Sequence, residues 1–397
     1  MGNTNAKKRI GPLILIMINL FIIMVGIGIV IPVLPYYVDY FGASANVLGM
    51  LMAVYAFMQF LFAPFWGSLS DKIGRKPVIM IGLLGFALSQ FLFASATALW
   101  VLFAARIIGG ALGSALISTA MAYVSDVTTE EDRGKGMGMM GAAMGLGMVF
   151  GPGIGGWLSV TGLSTPFLVA GIASSVALLF TFFKLPESLS EAERNENKQQ
   201  EKQNQFVLMV QALKGPIGFL LVLVFVLSFA LANFQSIFGF YALKQYGYSV
   251  VKVSNILVIV GVVGTLVQGI LVGKMIKKFG EKNVILGSLL FSAIGFYLMT
   301  LPTKYWGVLV TVNIFFIANS LLRPAVNTLI SKLAGKKQGM IMGLNNSFMS
   351  LGNVAGPLCA GYLFEIQPNL PYLTGAIISV LALMATFTWV KKQASVK

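Results

Sequence analysis

The chain has 397 residues, of which 57% are hydrophobic and only 10% charged, and its mean hydropathy is +0.84. Soluble domains carry about 25% charged residues, so this composition belongs in a membrane, and the formal charge of +15 calls for a topological explanation rather than a nucleic-acid partner. Histidine is absent and Cys359 is the single cysteine, which excludes an imidazole triad, a histidine proton relay, a His/Cys metal cluster and an intramolecular disulfide.

The chain opens with Lys7, Lys8 and Arg9 ahead of an apolar run, as a signal peptide does. The run is about 24 residues long, too long for a signal h-region, and no A-x-A site follows, so it reads as an uncleaved first transmembrane helix. Segments apolar enough to span lie near 12–37, 47–67, 78–97, 101–124, 137–160 and 166–184. A second set lies near 216–241, 251–272, 284–301, 306–330, 339–364 and 372–390. Between the sets, 185–215 is charged, rich in Gln and Asn and poor in aliphatic residues until Phe206, the composition of a mobile cytoplasmic linker. The expectation is an all-α membrane protein of twelve transmembrane helices in two six-helix pseudo-symmetric halves, 1–184 and 216–397.

An even number of spans puts both termini on one side. With the N-terminus inside, 23 of the 28 Lys and Arg fall on inner segments, and only Lys244, Lys252 and Lys304 on outer loops. Arg106 and Arg323 lie within spans. Excess Lys and Arg in inner loops sets orientation, so both termini are expected in the cytoplasm of a cell carrying this chain in its plasma membrane. The halves also resemble each other: "GSLSDKIGRKP" from Gly67 matches "GKMIKKFGEKN" from Gly273, and "GMVFGPGIGG" matches "GNVAGPLCAG". Repeated halves of this kind are a transporter signature, with the site at the midplane between them.

In the first loop Asp71, Lys72, Arg75 and Lys76 crowd acid and base into one turn between Gly67 and Gly74. One reading is positive-inside anchoring. The other is a gate latch, with Asp71 at the positive end of the inner terminus of helix 11 and Arg75 paired to Asp126. In helix 5, Gly147, Gly151, Pro152, Gly155 and Gly156 expose a groove for close helix approach, with a proline that permits a bend; ordinary packing is the alternative. Five methionines there (Met137, Met139, Met140, Met144, Met148) are expected mostly to face lipid or pack. "GMGMMG" (136–141) fits a dinucleotide fingerprint only in letters, because no strand precedes it, and no Walker loop occurs.

These motifs resemble those of the major facilitator superfamily. "GSLSDKIGRKP" matches its loop signature residue for residue, and "RIIGGALGSA", "GMVFGPGIGG" and "GIGIVIPVLPYY" are similar to the helix-4, helix-5 and helix-1 motifs of its twelve-helix drug:proton antiporter branch. "LLRPAVNTLIS" and "GLNNSFMSLGNVAGP" look like the NorA- and Bmr-type multidrug efflux pumps of Gram-positive bacteria. The resemblance covers the whole chain. It implies multidrug efflux by alternating access, with the helix-5 motif where the two halves rock, amphipathic small molecules as cargo, and protons as coupling ion. No cofactor, metal, nucleic-acid partner or covalent chemistry is implied, and a monomer is expected.

Arg106 and Arg323 stand in apolar segments, where a charge costs about 2.5–3.5 kcal/mol. None of the thirteen acids is placed deep in a span. The resembled pumps carry acids in helix 7 and three residues before the Arg-Pro of helix 10; here Gln235 and Ser320 occupy those positions, which puts proton antiport and a preference for cations in doubt. Arg106 either snorkels outward or faces a cavity; Arg323, beside Pro324, either bonds freed carbonyls or faces the same cavity. A neutral rim of Tyr55, Gln59, Gln235, Asn319, Asn345, Asn346 and Phe348 would suit anionic or zwitterionic amphipaths. Gln59, Arg106, Arg323, Asn345 and Phe348 also match pocket positions of the resembled pumps. Two other functions remain open: a narrow-specificity exporter of an anionic metabolite or sugar-like solute, and a non-transporting membrane sensor.

Overall fold

A chain with little water around it must bond its own backbone, and all regular structure among the described residues is helical. The computed structural model describes residues 2–191, 194, 209, 212–213, 217–302, 304–334 and 338–394. The helices are α1 (Gly2–Tyr40), α2 (Ala45–Ile73), α3 (Arg75–Ala94), α4 (Leu99–Val127), α5 (Glu130–Leu158) and α6 (Thr165–Lys184). They continue with α7 (Gly218–Tyr246), α8 (Val250–Leu266), α9 (Val272–Leu298), α10 (Tyr305–Ala334), α11 (Gln338–Ile366) and α12 (Leu370–Ala394). A π-helical turn, Val267–Leu271, joins α8 to α9. Every apolar segment read from the sequence coincides with helix, give or take a few residues at its ends.

Ten helical stretches among the described residues are long and apolar enough to cross a membrane. One of them, Val250–Leu298, runs for 49 residues. At 1.5 Å per residue that is about 74 Å, more than twice the hydrocarbon thickness. Gly280 breaks it, with φ 76° and ψ 156°. Gly74 does the same between α2 and α3 with φ 106°, a region that L side chains rarely enter. The acid–base loop expected here is thus helical through Ile73 and shrinks to one residue. The local reason is bonding within the chain: Ser70 Oγ donates to Gly67 O (2.7 Å), Gly74 N–H donates to Ser70 O (3.1 Å), and Asp71 meets Arg75 one turn on.

The chain forms two compact units. One holds α1, α2 from Val54 on, α3 to α6 and the segment Ser249–Asn255; the other holds Gly42–Ala53, α7 and the chain from Ile256 on. Pairings inside the first unit recur inside the second. α1 packs on α5, α3 on α4 and α3 on α6, as α7 packs on α11, α9 on α10 and α9 on α12. The starts of α2 and α8 are exchanged between the units. In the second unit Ala45 N–H, at the start of α2, donates to the Glu365 carboxylate at the end of α11 (2.6 Å). In the first, Trp157 Nε1–H at the end of α5 donates to Asn255 Oδ1 on α8 (3.3 Å).

Interhelical hydrogen bonds bury the polar side chains. Asn19 donates to Thr181 Oγ1 (2.8 Å), Ser174 to Leu83 O (3.0 Å), Trp66 to Ala111 O (2.6 Å) and Asn233 to Pro371 O (2.7 Å). Apolar packing around them centres in the first unit on Leu20, Ile23, Leu83, Phe86, Leu116 and Tyr123. Met137, Met144 and Met148 pack against this core and Met140 lies in it, while Met139 is exposed.

The helix-5 glycines lie where α5 meets its own unit. A methyl group at Gly151 would sit 2.6 Å from Val25 O and 2.7 Å from Gly28 Cα, both on α1. Gly147 and Gly155 also face α1, at Met24 and Ile29. Gly156 meets another element, Ser254 at the start of α8. Three of the motif's glycines, Gly147, Gly151 and Gly155, are thus taken up by the α1–α5 backbone contact. Gly151→Leu should cost about 1–3 kcal/mol by overpacking and lower the melting temperature in detergent. Gly145→Leu, where a Cβ meets nothing within 4 Å, should leave it unchanged; equal melting of the two variants would remove the α1–α5 contact as a stabilising element.

Candidate functional site

The first cluster forms where α2, α3 and α4 end together. Arg75 is the first residue of α3 and is only 7% exposed. Its Nη1 donates to Asp71 (2.6 Å) and Ser70 Oγ (2.7 Å), and its Nε donates to Asp126 at the end of α4 (3.0 Å). The expected Arg75–Asp126 pair is present, and the Asp71 carboxylate accepts from Arg75. One planar guanidinium thus satisfies three acceptors from two helices, a geometry that a lysine ammonium cannot reproduce.

A fourth element completes the cluster. The Glu187 carboxylate accepts from the backbone N–H groups of Arg75 (2.8 Å) and Lys76 (3.1 Å), the first-turn donors of α3 that have no partner within their own helix. It also accepts from Ser188 N–H (2.9 Å), and Ser188 Oγ donates to Asp126 (2.9 Å). Tyr123 OH donates to Pro186 O (3.0 Å). An anion at a helix N-terminus is favoured by the helix dipole. Glu187, Ser188 and Ser70 escaped the sequence reading, which counted 185–215 as mobile linker. Residues 185–191 are instead tied down, with Leu185 and Leu189 buried. The available signal was an acid just past a helix end in a chain with few acids. Most of the remaining linker, including Glu193, Glu196 and Glu201, lies outside the described residues.

The second unit carries the same corner with its charges inverted. Gly280, Glu281 and Lys332 each lie 206 residues after Gly74, Arg75 and Asp126, and Lys332 is bonded to Glu281 (2.5 Å). Where the first unit uses a buried arginine and two acids, the second uses an acid and a lysine that is 62% exposed. Exposed pairs contribute about 0–1 kcal/mol. Asp126→Asn, which strips a buried guanidinium of one partner, should cost roughly 1–3 kcal/mol after discounting for its partly exposed carboxylate. Lys332→Gln should cost less than about 1 kcal/mol. Thermal unfolding of the two variants measures the contrast, and a larger loss for Lys332→Gln would reverse the assignment.

Arg106 forms the second feature. It is 4% exposed, with its guanidinium carbon 5.1 Å from the Tyr55 ring centre and 5.5 Å from that of Phe93. Gln59 Nε2–H donates to Tyr55 OH (3.1 Å). Snorkelling is thereby overturned: two ring faces hold the charge inside the unit, an arrangement worth about 0.5–2 kcal/mol per ring as water is excluded. Tyr55, Gln59 and Arg106 are brought together, and Phe93 is a partner that the sequence reading missed.

The other expected cavity residues lie in the second unit. Gln235 on α7 and Asn319 on α10 are half-buried, and Ser320 is buried. Arg323 is exposed, its Nη2 directed at the Met349 sulfur on α11. Asn345 and Phe348 are buried and Asn346 is exposed; the Asn345 Oδ1 has no hydrogen-bond partner among the described residues. No group of three or more metal-binding side chains occurs among the described residues.

A family model described as the Major Facilitator Superfamily matches residues 16–275 and 253–397. The Multidrug resistance protein 2 of Bacillus subtilis is 33% identical over 98% of this chain and 97% of its own length. The quinolone resistance protein NorA of Staphylococcus aureus is 31% identical over 96% of both chains. Among solved structures, a peptide transporter (POT) in complex with sulfate superposes with a TM-score of 0.80, at 13% identity, over 96% of this chain and 94% of that one.

Proposed function

The chain belongs to the major facilitator superfamily, and from that premise we propose that it is a multidrug efflux transporter that exports amphipathic small molecules by alternating access. The observation that carries the reading is full-length similarity to proteins named for multidrug and quinolone resistance. We take it to cross the plasma membrane twelve times, with Gly280 dividing the 49-residue stretch into two passes and α11 supplying a further one. The Lys and Arg distribution supports cytoplasmic termini.

Arg106 and Arg323 are the proposed charge-selecting groups, with Tyr55, Gln59, Asn319, Gln235, Asn345, Asn346 and Phe348 as neutral contacts. A fixed positive charge a few ångströms from a ligand carboxylate contributes about 4 kcal/mol at an effective dielectric of 20, before desolvation. Cargo with an anionic or zwitterionic group is favoured over a permanent cation. Gln235 and Ser320 cannot take up a proton, so any proton coupling runs through another group or through the cargo itself. The same two residues and the two arginines favour the second reading, a narrow-specificity exporter of an anionic solute.

Transport into inverted vesicles, using one cationic, one zwitterionic and one neutral amphipath, separates these readings. Arg106→Ala should weaken the zwitterion about tenfold or more while sparing the neutral compound. Equal loss for all three, or for none, would make the arginine structural. Collapse of the pH gradient should stop uptake if protons drive it. Export of a single anionic compound alone would select the second reading.

We further propose that the Arg75 cluster gates the transporter. Asp71→Asn removes an acceptor remote from the cargo-binding residues, so turnover should fall several-fold while equilibrium binding is nearly unchanged. Parallel losses of binding and transport would count against the gate.

A further inference from the structure

Two apolar grooves flank α9 and share Gly287. The first, about 560 Å³, runs between α9 and α10 past Phe279, Phe291, Ile317 and Leu321. The second, about 380 Å³, runs between α9 and α12 past Leu290, Leu383 and Phe387. A Cβ placed on Gly287 meets nothing within 4 Å, so the missing side chain leaves both grooves open at their meeting point.

One end of each groove carries ammonium groups held over aromatic rings. Lys278 Nζ stands 5.2 Å from the ring centre of Phe279, which lines the first groove. Lys391 Nζ stands 4.6 Å from that of Phe387, which lines the second. Lys282, just past the Gly280 break from Lys278, stands 5.5 Å from the ring centre of Trp389 on α12. The nearby acid, Glu281, is engaged by Lys332. Lys274, one turn back on α9, and Lys277, next to Lys278, add to the positive charge.

We propose that this surface binds an anionic glycerophospholipid, with one acyl chain in each groove and its phosphate among Lys278, Lys282 and Lys391. Each part of the site matches a part of that molecule. Two apolar channels that share Gly287 fit two chains on one glycerol, the lysines fit the phosphate, and an indole such as Trp389 beside them suits the boundary between headgroup and hydrocarbon. A drug-sized amphipath would fill one groove and leave the other empty. The site lies wholly within the second unit and is independent of the Arg106 residues, so it stands or falls separately from the transport reading.

The test is native mass spectrometry of the purified full-length chain with dioleoyl phosphatidylglycerol or dioleoyl phosphatidylcholine added in detergent. The expected result is retention of phosphatidylglycerol over phosphatidylcholine, with the preference falling about fivefold for each lysine changed to glutamine. Lys278→Arg, Lys282→Arg and Lys391→Arg together should keep the preference, which controls for misfolding of the glutamine variants. Gly287→Phe, which fills the junction, should release both lipids. The proposal is overturned if the preference survives loss of all three lysines, if Gly287→Phe binds as the native chain does, or if ethidium displaces the lipid at equimolar concentration.

Discussion

In lipid, a helix gains nothing by hiding apolar side chains from its neighbour, because the acyl chains are as apolar as leucine. Association has to come from close backbone approach and from hydrogen bonds between helices. The α1–α5 contact shows the first, with Gly28 and Gly151 stacked so that neither has room for a methyl group. In the second unit, Gly352 and Gly356 of α11 lie equally close to the α7 backbone at Phe225 and Phe229. Bonds such as Asn19 to Thr181 and Asn233 to Pro371 show the second. The polar clusters sit on scaffolds held this way, and their geometry depends on that rigidity.

Two buried arginines use opposite solutions to the same cost. Arg75, at a helix junction, is neutralised by carboxylates and bonded by Ser70, and its backbone N–H is bonded by Glu187. It therefore couples several chain segments. Arg106 lies inside a helix between two ring faces. Ring quadrupoles attract the charge and offset part of its desolvation.

The repeat preserves topology but not chemistry. Gly74 and Gly280 keep the same backbone break at the same offset, whereas Arg75 with Asp126 becomes Glu281 with Lys332. Inverting the pair keeps the attraction and changes its setting, from a buried planar fork to a flexible, exposed ammonium. The two corners should therefore differ in strength although the fold treats them as equivalents.

Sequence alone determined the membrane setting, the positions of the apolar helices and the repeat, and offered the Arg75–Asp126 pair as one of two readings of its loop. Those features rest on composition, on runs of local hydropathy and on short spacings, which a linear reading sees directly. Only the tertiary structure decided that Arg106 is ringed rather than snorkelled, because Tyr55 and Phe93 reach it from two other helices. It also decided that the helix-5 glycines serve mainly α1, since a glycine stripe shows a close contact without naming the partner. Glu187 lies 112 residues from Arg75, and its carboxylate reads as one more linker acid until the fold brings it to the bare N–H groups of α3.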